Sequence, residues 1–190
     1  MVANPVTWTI HDLDAMPDDG GWKRYEIIYG ELLVTRAPHA FHQDAASKLN
    51  IQLGIWSAAS GLGRAIQTPG VIFTDIDAVI PDLIWASNER WENSLDAAGH
   101  FVVAPELIVE ILSAGEKNKE RDKKYKLKLY SLHGVQEYWI VNWRLKEIEI
   151  YRRADGILKR AATLLTEDTL TSPLLPGFNC DLNKIFSAAK

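Results

Sequence analysis

The chain has 190 residues, 47% of them hydrophobic, which is close to the usual size of one domain and enough to build a core. Its formal net charge of −4 excludes a protein that coats nucleic acid through overall positive charge. The one cysteine, Cys180, excludes an internal disulfide, and we interpret it as a core residue. No apolar run approaches the ~20 residues of a membrane span, and the first residues lack the pattern of a signal peptide. We therefore expect one cytoplasmic domain over residues 1–190.

The N-terminal third of the sequence predicts a short helix, a β-hairpin and a long helix. Thr9 is the expected N-cap of the short helix. The segment RYEIIYGELLVTR predicts two strands joined at Tyr29-Gly30. Apolar residues at positions 45, 49, 53 and 56 share one stripe of a helix from about residue 41 to residue 60, which should therefore pack on a sheet. Gly61 and Gly63 are expected to end this helix.

The middle of the sequence predicts mostly β-structure. Residues 65–87 predict two strands around residues 75–77, and the second strand contains Asp82 directly after Pro81. The polar residues 87–99 predict a connection or a short helix. PELIVEILS, at residues 105–113, is nearly all apolar, as expected of a central strand covered on both faces. Glu110 interrupts that strand.

A Lys-rich segment follows and predicts a helix that ends near His133, before Gly134. Part of it, YKLKLYSL, also alternates with the period of an edge strand. Helix is favoured because a crossover is needed between PELIVEILS and the next apolar strand, VQEYWIVNW. KEIEIYRR and DGILKRAAT predict two further strands, and the C-terminal residues predict a terminal cap.

Two acids, Asp82 and Glu110, lie on strongly apolar runs. Burying a carboxylate in such a run is costly unless a metal ion or a nearby cation compensates its charge. The two residues are therefore the first candidates for a metal site. Each also has a purely structural alternative, which for Asp82 is to cap or end a strand after Pro81.

Seven cations and three acids lie within residues 116–128. Such a run is most often a solvated helix face, and contact with phosphate groups is the alternative. On a helix, Asp122, Lys126 and Tyr130 share one face at steps of four residues, which directs Lys126 toward the sheet edge that bears Glu110. Asp122 is alternatively an ion-pair partner of Lys126. For Tyr130 we expect packing rather than chemistry.

Taken in order, these segments resemble the Uma family of restriction-endonuclease-like proteins, within the PD-(D/E)XK nuclease superfamily. The resemblance rests first on ELIVEILS, on the spacing of Asp122, Lys126 and Tyr130, and on HGVQEYWIVN. Further matches are YEIIYGELL, the His42-Gln43 pair at a helix start, Pro81-Asp82 and SPLLPGFNCDL. Together they cover about residues 8–187.

The resemblance implies a restriction-endonuclease-like α/β fold, in which helices flank a central mixed β-sheet and a β-hairpin lies near the N-terminus. Asp82 matches the acid of the PD element, and Glu110 matches the acid of the (D/E)XK element. The superfamily lysine lies two residues after that second acid, where this chain has Leu112. The resemblance to the Uma family implies that the following helix supplies the lysine instead, at Lys126.

The same resemblance implies an endonuclease that uses Mg²⁺, or alternatively Mn²⁺, to hydrolyse phosphodiester bonds of DNA. Asp82, Glu110 and the backbone carbonyl of Ile111 would hold the metal, since Mg²⁺ prefers carboxylates, waters and substrate oxygens. Lys126 would orient the attacking water or stabilise the phosphate in the transition state. His42 would bind a water or a phosphate oxygen if its helix start faces the same cleft.

For several residues the sequence leaves two interpretations open. Glu26 and Glu31 flank the hairpin turn, where a structural role is expected and a third acid at the metal is the alternative. His42 is alternatively a helix residue without a ligand role. Among the seven tryptophans, Trp91 and Trp143 fall in predicted loops and are the better candidates for contacts with bases or partners.

Two hypotheses about function follow. The first is a Mg²⁺-dependent nuclease that acts on DNA as a homodimer, so that two sites address two strands. The second is a catalytically inactive module with the nuclease fold that binds nucleic acid or protein. The acidic net charge and Leu112 at the lysine position favour this second hypothesis, and metal-dependent turnover would refute it.

Overall fold

A computed structural model describes residues 6–13, 15–17, 20, 22–113 and 121–187, with the backbone alone for residues 121 and 122. The strands are β1 (Lys23–Ile28), β2 (Glu31–Arg36), β3 (Gly63–Gln67), β4 (Val71–Thr74), β5 (Asp77–Val79), β6 (Leu83–Ser87), β7 (Leu107–Ile111), β8 (Glu137–Asn142), β9 (Glu147–Ala154), β10 (Ile157–Leu165), β11 (Thr169–Ser172) and β12 (Leu175–Asp181). The helices are α1 (Ile10–Leu13), α2 (Ala40–Ser60), α3 (Asn88–Asn93), α4 (Leu127–Leu132) and α5 (Asn183–Phe186). A π-helical segment, Arg121–Lys126, leads directly into α4.

A six-stranded mixed sheet lies at the centre of the molecule, in the order β10-β9-β8-β7-β6-β3. β7 and β8 run parallel, and the other neighbouring strands of this sheet run antiparallel. A four-stranded sheet in the order β2-β1-β5-β4 contains the N-terminal hairpin, and β11 pairs with β12. The predicted central mixed sheet, flanking helices and N-terminal hairpin are therefore confirmed. Within the described ranges, no helix is long and apolar enough to cross a membrane.

The central strand β7 is buried on both faces, and its side chains alternate between two hydrophobic clusters. Residues 107, 109 and 111 belong to the first cluster, which also contains Leu49 and Leu53 of α2. Residues 108 and 112 belong to the second, which also contains Leu129 of α4 and Val79 of β5. Because side chains alternate along a strand, Glu110 lies on the second face, toward α4 and the four-stranded sheet.

The turn between β1 and β2 is formed as predicted by Tyr29 and Gly30, whose φ angles are 54° and 74°. Positive φ at both central residues is the geometry of a type I′ turn, which suits the twist of a two-residue hairpin. The turn fixes the register of the hairpin, with Glu26 of β1 opposite Leu33 of β2. Glu26 thereby points into the protein, whereas Glu31 at the turn is exposed.

Helix α2 matches its predicted range closely. His39 is the N-cap, and its Nδ1 accepts a hydrogen bond from the backbone N–H of Phe41 at 3.1 Å. Gly61, with φ of 69°, ends the helix as predicted. Gly63 does not take part in this end, because it lies in β3. A Cβ there would lie 2.3 Å from the carbonyl oxygen of Ala86 on β6, so its lack of a side chain lets the two strands approach.

The prediction of two strands over residues 65–87 is wrong, because this segment contributes to four strands, β3 to β6. Thr68, at a φ of 52°, and the following Pro69-Gly70 separate β3 from β4. β3 pairs with β6, while β4 and β5 join the four-stranded sheet. Asp82 also lies one residue before β6 rather than within a strand.

The basic segment is helical in its described part, as predicted, and is not an edge strand. It begins as the π-helical segment and ends at Leu132, one residue before His133. Residues 114–120 and the side chain of Asp122 lie outside the described part of the chain. The expected ion pair between Asp122 and Lys126 therefore stays a prediction.

Candidate active site

Asp82, directly before β6, and Glu110, in β7, are neighbours across adjacent strands. β6 and β7 pair antiparallel with Leu83 opposite Val109, and the same register places Asp82 opposite Glu110. The backbone N–H of Ile111 donates a hydrogen bond to Asp82 Oδ2 at 2.9 Å, which ties the Asp82 side chain to β7. Both acids are buried, with 6% and 4% of their surface exposed. The two carboxylates that the sequence singled out are thus brought together.

Asp82 is further contacted by His42 and Arg24. His42 Nε2 lies 3.2 Å from Asp82 Oδ2, and Arg24 Nη1 lies 3.2 Å from Asp82 Oδ1. Burial raises the pKa of Asp82, but the hydrogen bond and charge of His42, with the Ile111 N–H and the Lys126 charge, outweigh burial and hold it below its ordinary value. Asp82 is therefore an ionised carboxylate at neutral pH.

His42 itself is buried at the start of α2, with 3% of its surface exposed. Its Nδ1 has no hydrogen-bond partner among the described residues. A buried polar atom of this kind is normally satisfied by protein or by a bound molecule. His42 lines the same pocket as Asp82 and Glu110, with its Nε2 toward Asp82.

Lys126 bridges two buried carboxylates. Its Nζ lies 2.8 Å from Glu110 Oε1 and 2.9 Å from Glu26 Oε1. Only 2% of the Lys126 surface is exposed, so it is not the solvated cation of the alternative interpretation. Glu26 Oε1 also accepts a hydrogen bond from the backbone N–H of Ile80 at 3.0 Å. Of the two hairpin acids, Glu26 thus lines the pocket and Glu31 does not.

Tyr130, one helical turn after Lys126, also contacts Glu110. Its hydroxyl donates a hydrogen bond to Glu110 Oε1 at 2.7 Å, and its ring packs against Tyr138 with centroids 5.0 Å apart. Burial, and then the charge of Glu110, raise the pKa of Tyr130 well above its ordinary value, so the hydroxyl stays a donor. The expectation of packing alone is therefore incomplete, and the four-residue spacing was the signal for the polar contact.

The candidate site residues from sequence line one small pocket. It has a volume of about 30 Å³ and its lining includes His42, Asp82, Glu110, Ile111 and Lys126. Sequence reasoning missed Arg24 as a contact of Asp82, since no spacing or motif distinguishes it from other strand cations. Leu112 is buried in the second hydrophobic cluster and Glu31 is exposed, and neither lines the pocket.

Charged side chains of both signs line the pocket. Its buried part combines three carboxylates (Glu26, Asp82, Glu110) with one ammonium (Lys126), and Arg24 and the exposed Arg36 lie at its rim. Mg²⁺ typically takes one or two carboxylates and completes its shell with waters and substrate oxygens. Among the described residues, no group of three or more His, Cys, Asp or Glu side chains is placed to hold a metal ion. A metal held by Asp82 and Glu110 alone would therefore have to keep several waters.

Comparison with solved structures agrees with this fold. A crystal structure from Anabaena variabilis, titled as a "putative nuclease belonging to DUF820", is similar with a TM-score of 0.73 at 18% identity. The similarity covers 94% of this chain and 97% of that chain. The chain thus has a restriction-endonuclease-like fold, and Asp82, Glu110 and Lys126 line one pocket of it.

Comparison with family models identifies the family. The model Uma2, described as "Putative restriction endonuclease", matches residues 10–183. The chain therefore belongs to the Uma2 family, as the sequence motifs indicated. No curated protein matches the chain.

Proposed function

We propose that this protein is a metal-dependent endonuclease that hydrolyses phosphodiester bonds of DNA, with Mg²⁺ as the metal and Mn²⁺ as a substitute. The observation that carries the proposal is the buried pair of Asp82, directly before β6, and Glu110 of β7, with the Lys126 ammonium on Glu110. Membership of the Uma2 family and the restriction-endonuclease-like fold support it.

Asp82, Glu110 and the backbone carbonyl of Ile111 would hold the metal. Once bound, the metal would neutralise charge on the phosphate and lower the pKa of a water nucleophile. Asp82 is prepared for this role because its pKa is held below its ordinary value, so no proton has to leave at neutral pH.

The chain's own cations would act on the phosphate group. Lys126 Nζ, positioned by Glu26 and Glu110, would donate hydrogen bonds to a phosphate oxygen or to the attacking water. Arg24 at the rim would bind a second phosphate oxygen through its guanidinium fork. His42 Nδ1, which has no partner in the described structure, would hold a water in the pocket. Tyr130 would keep the Glu110 carboxylate oriented.

A plasmid-nicking assay tests this proposal. The wild-type protein is expected to nick supercoiled DNA with Mg²⁺ or Mn²⁺ and to be inactive in EDTA. Glu110→Gln and Asp82→Asn keep side-chain size but remove charge, and each is expected to lower the nicking rate at least about 100-fold. Glu31→Gln, on the same hairpin as Glu26 but exposed, is the matched control. Full activity in a folded and contaminant-free Glu110→Gln preparation would overturn the assignment.

One observation favours a second candidate function, a catalytically inactive module that binds nucleic acid or protein. Lys126 and Tyr130 already compensate the charge of Glu110 without a metal. In that case DNA binding would persist in EDTA and no metal would support turnover. Metal-dependent nicking that disappears in Glu110→Gln would exclude this function.

The proposal also includes the assembly and location expected from sequence. We propose that the protein works in the cytoplasm as a homodimer of single-domain subunits, which would place two sites on the two strands of a duplex. Sedimentation at several protein concentrations, with and without DNA, tests the dimer. A monomer under both conditions would contradict it.

A further inference from the structure

Three aromatic rings form a continuous surface close to the candidate active site. The rings of His39 and Trp143 are stacked with centroids 5.2 Å apart and 22° between their planes. His39 and Phe41 are stacked at 5.5 Å, and Phe41 lies 5.7 Å from Trp143. His39 and Phe41 come from the start of α2, and Trp143 comes from the turn between β8 and β9. We refer to His39, Phe41 and Trp143 as the aromatic strip.

The aromatic strip lies between two grooves. A groove of about 450 Å³ is lined by His39 and Trp143 and shares Arg36 and His42 with the small pocket of Asp82 and Glu110. On the other side, Phe41 and Trp143 line a second groove of about 410 Å³. An extended ligand that runs out of the small pocket would therefore pass over the aromatic strip.

Cations accompany the strip along both grooves. The guanidinium carbon of Arg144 lies 4.8 Å from the Trp143 ring centroid, and the exposed Lys146 lines the same groove as Arg144. Arg36 is exposed in the groove nearer the pocket. The acid of the second groove, Asp44, is paired with Lys48 at 2.7 Å. The surface thus alternates aromatic rings with cations, as ligands with bases and phosphates require.

Phe41 of the strip and Leu145 near Trp143 are exposed apolar side chains. Phe41 leaves 63% of its surface exposed, and Leu145 in the turn beside Trp143 leaves 67% exposed. Trp91, the other tryptophan expected to make contacts, instead packs in α3 against Phe101 with ring centroids 5.1 Å apart. Phe41 and Leu145 thus leave apolar side chains open to solvent beside the partly buried Trp143.

We propose that the aromatic strip binds an unpaired segment of DNA next to the phosphate that is cleaved. Bases in a duplex stack on each other and offer only their edges, whereas unpaired bases can stack on exposed rings. The cations would follow the backbone phosphates. This inference rests on the proposed nuclease function and narrows its substrate to single-stranded DNA or to duplexes with an unpaired end, gap or flap.

Binding to a labelled oligothymidylate of about 12 nucleotides, a length within the site sizes of single-strand binders, tests the proposal. Anisotropy and tryptophan fluorescence are measured on the full chain in EDTA, so that cleavage plays no part. The oligothymidylate should quench tryptophan fluorescence and bind at least 10-fold tighter than an abasic oligonucleotide of equal length and charge. It should also bind tighter than a duplex of equal length.

Substitutions at Phe41 change base stacking without changing the charge of the surface. Phe41→Ala is expected to weaken oligothymidylate binding about 5- to 100-fold, in the range of one lost base stack. Phe41→Tyr, which keeps the ring, should restore it. Ile157→Ala, at the start of β10 and paired with the end of β9 far from Trp143, is the control for loss of an exposed apolar side chain. This variant should bind as the wild type does.

The outcomes distinguish this inference from the proposed function. Selective binding of oligothymidylate without any metal-dependent nicking would support the strip and refute the nuclease. Nicking together with equal binding of abasic and base-containing strands, or unchanged binding in Phe41→Ala, would overturn the strip and leave the nuclease standing. Trp143→Phe serves as a second variant, because it keeps a ring in the partly buried position while reducing the stacking area.

Discussion

Lys126 reaches Glu110 from the helix that follows β7, with its Nζ 2.8 Å from the Glu110 Oε1 oxygen. The residue two positions after Glu110, Leu112, is buried in a hydrophobic cluster, so it offers no charged group to the pocket. The helix therefore supplies the ammonium that the strand does not. Glu26 holds the same ammonium from the other side, and the three charges form one buried network.

Replacing Lys126 with Met should destabilise the fold strongly. The change keeps the length of the side chain but leaves Glu26 and Glu110 buried without their common cation. Removing one partner of a buried ion pair typically costs about 3–5 kcal/mol. Urea denaturation of the wild type and of Lys126→Met measures this difference in the free energy of unfolding.

A second substitution shows whether that loss comes from the unpaired acids. Glu26→Gln combined with Lys126→Met removes one of the two uncompensated charges. The double variant should be more stable than Lys126→Met alone, by about 1 kcal/mol or more. A loss of stability in the double variant equal to the sum of the losses in Lys126→Met and Glu26→Gln would contradict a network of coupled charges.

The raised pKa of Tyr130 predicts how the stability of the fold changes at alkaline pH. Its pKa is raised well above 10.0 in the folded protein, so between pH 10 and the folded pKa the folded state binds one more proton than the unfolded state. Stability should therefore fall as pH rises above about 10, by up to ~1.4 kcal/mol per pH unit from this group. Tyr130→Phe lacks the titrating group, so its stability should fall less steeply over the same range.

The Tyr130→Phe variant also measures the hydrogen bond to Glu110 at neutral pH. A hydrogen bond to a charged group contributes about 1.5–3 kcal/mol, while the ring contact with Tyr138 is kept. Chemical denaturation at pH 7 and at pH 10–11 gives both results. Equal stability at pH 7 and parallel pH profiles would show that the hydroxyl does not bind a buried carboxylate.

The lowered pKa of Asp82 predicts a loss of stability at acidic pH, opposite to the alkaline loss expected from Tyr130. Its folded pKa lies below its unfolded value of 3.8, so it contributes stability above that value and loses it as pH falls through the folded pKa. Asp82→Asn has no such contribution to lose. The stability difference between the wild type and Asp82→Asn should therefore narrow as pH falls below about 4. Denaturant unfolding at a series of acidic pH values measures it, and a difference that widens there would be inconsistent with the lowered pKa.

Glu26 and Glu31 provide a matched pair on the N-terminal hairpin. Glu26 contacts Lys126 Nζ and is 3% exposed, whereas Glu31 lies exposed at the turn. Glu26→Gln should lower nicking at least about 10-fold because Lys126 loses a charged carboxylate that positions its ammonium. Glu31→Gln should nick as the wild type does. Equal rates for all three proteins would remove Glu26 from the site.

Much of the central architecture follows from local patterns. The apolar run around Glu110 predicts a strand covered on both faces, and the stripe on α2 predicts a helix that packs on the sheet, because period and burial are local properties. The four strands between residues 63 and 87 did not follow in the same way. Their breaks depend on the positive φ of Thr68 and on which sheet each strand joins, which is decided by tertiary pairing.

The residues of the candidate site also divide into those that local patterns predict and those that tertiary contacts decide. The acids stood out because a carboxylate inside an apolar run needs compensation, and Lys126 followed from the family resemblance and the helix period. Arg24 carried no signal, because its contact with Asp82 spans 58 residues of sequence. The choice of Glu26 over Glu31 depends on the strand face set by the hairpin turn, which the sequence alone left open.

Calorimetric titration of Mn²⁺ and Mg²⁺ into the wild type and into Glu110→Gln at neutral pH tests the central claim, a metal site built on Asp82 and Glu110, most directly. The wild type should bind one ion per subunit, and Glu110→Gln should show no saturable heat while remaining folded. The absence of binding to the wild type, even with DNA present, or equal binding by Glu110→Gln, would contradict a metal site at these two acids.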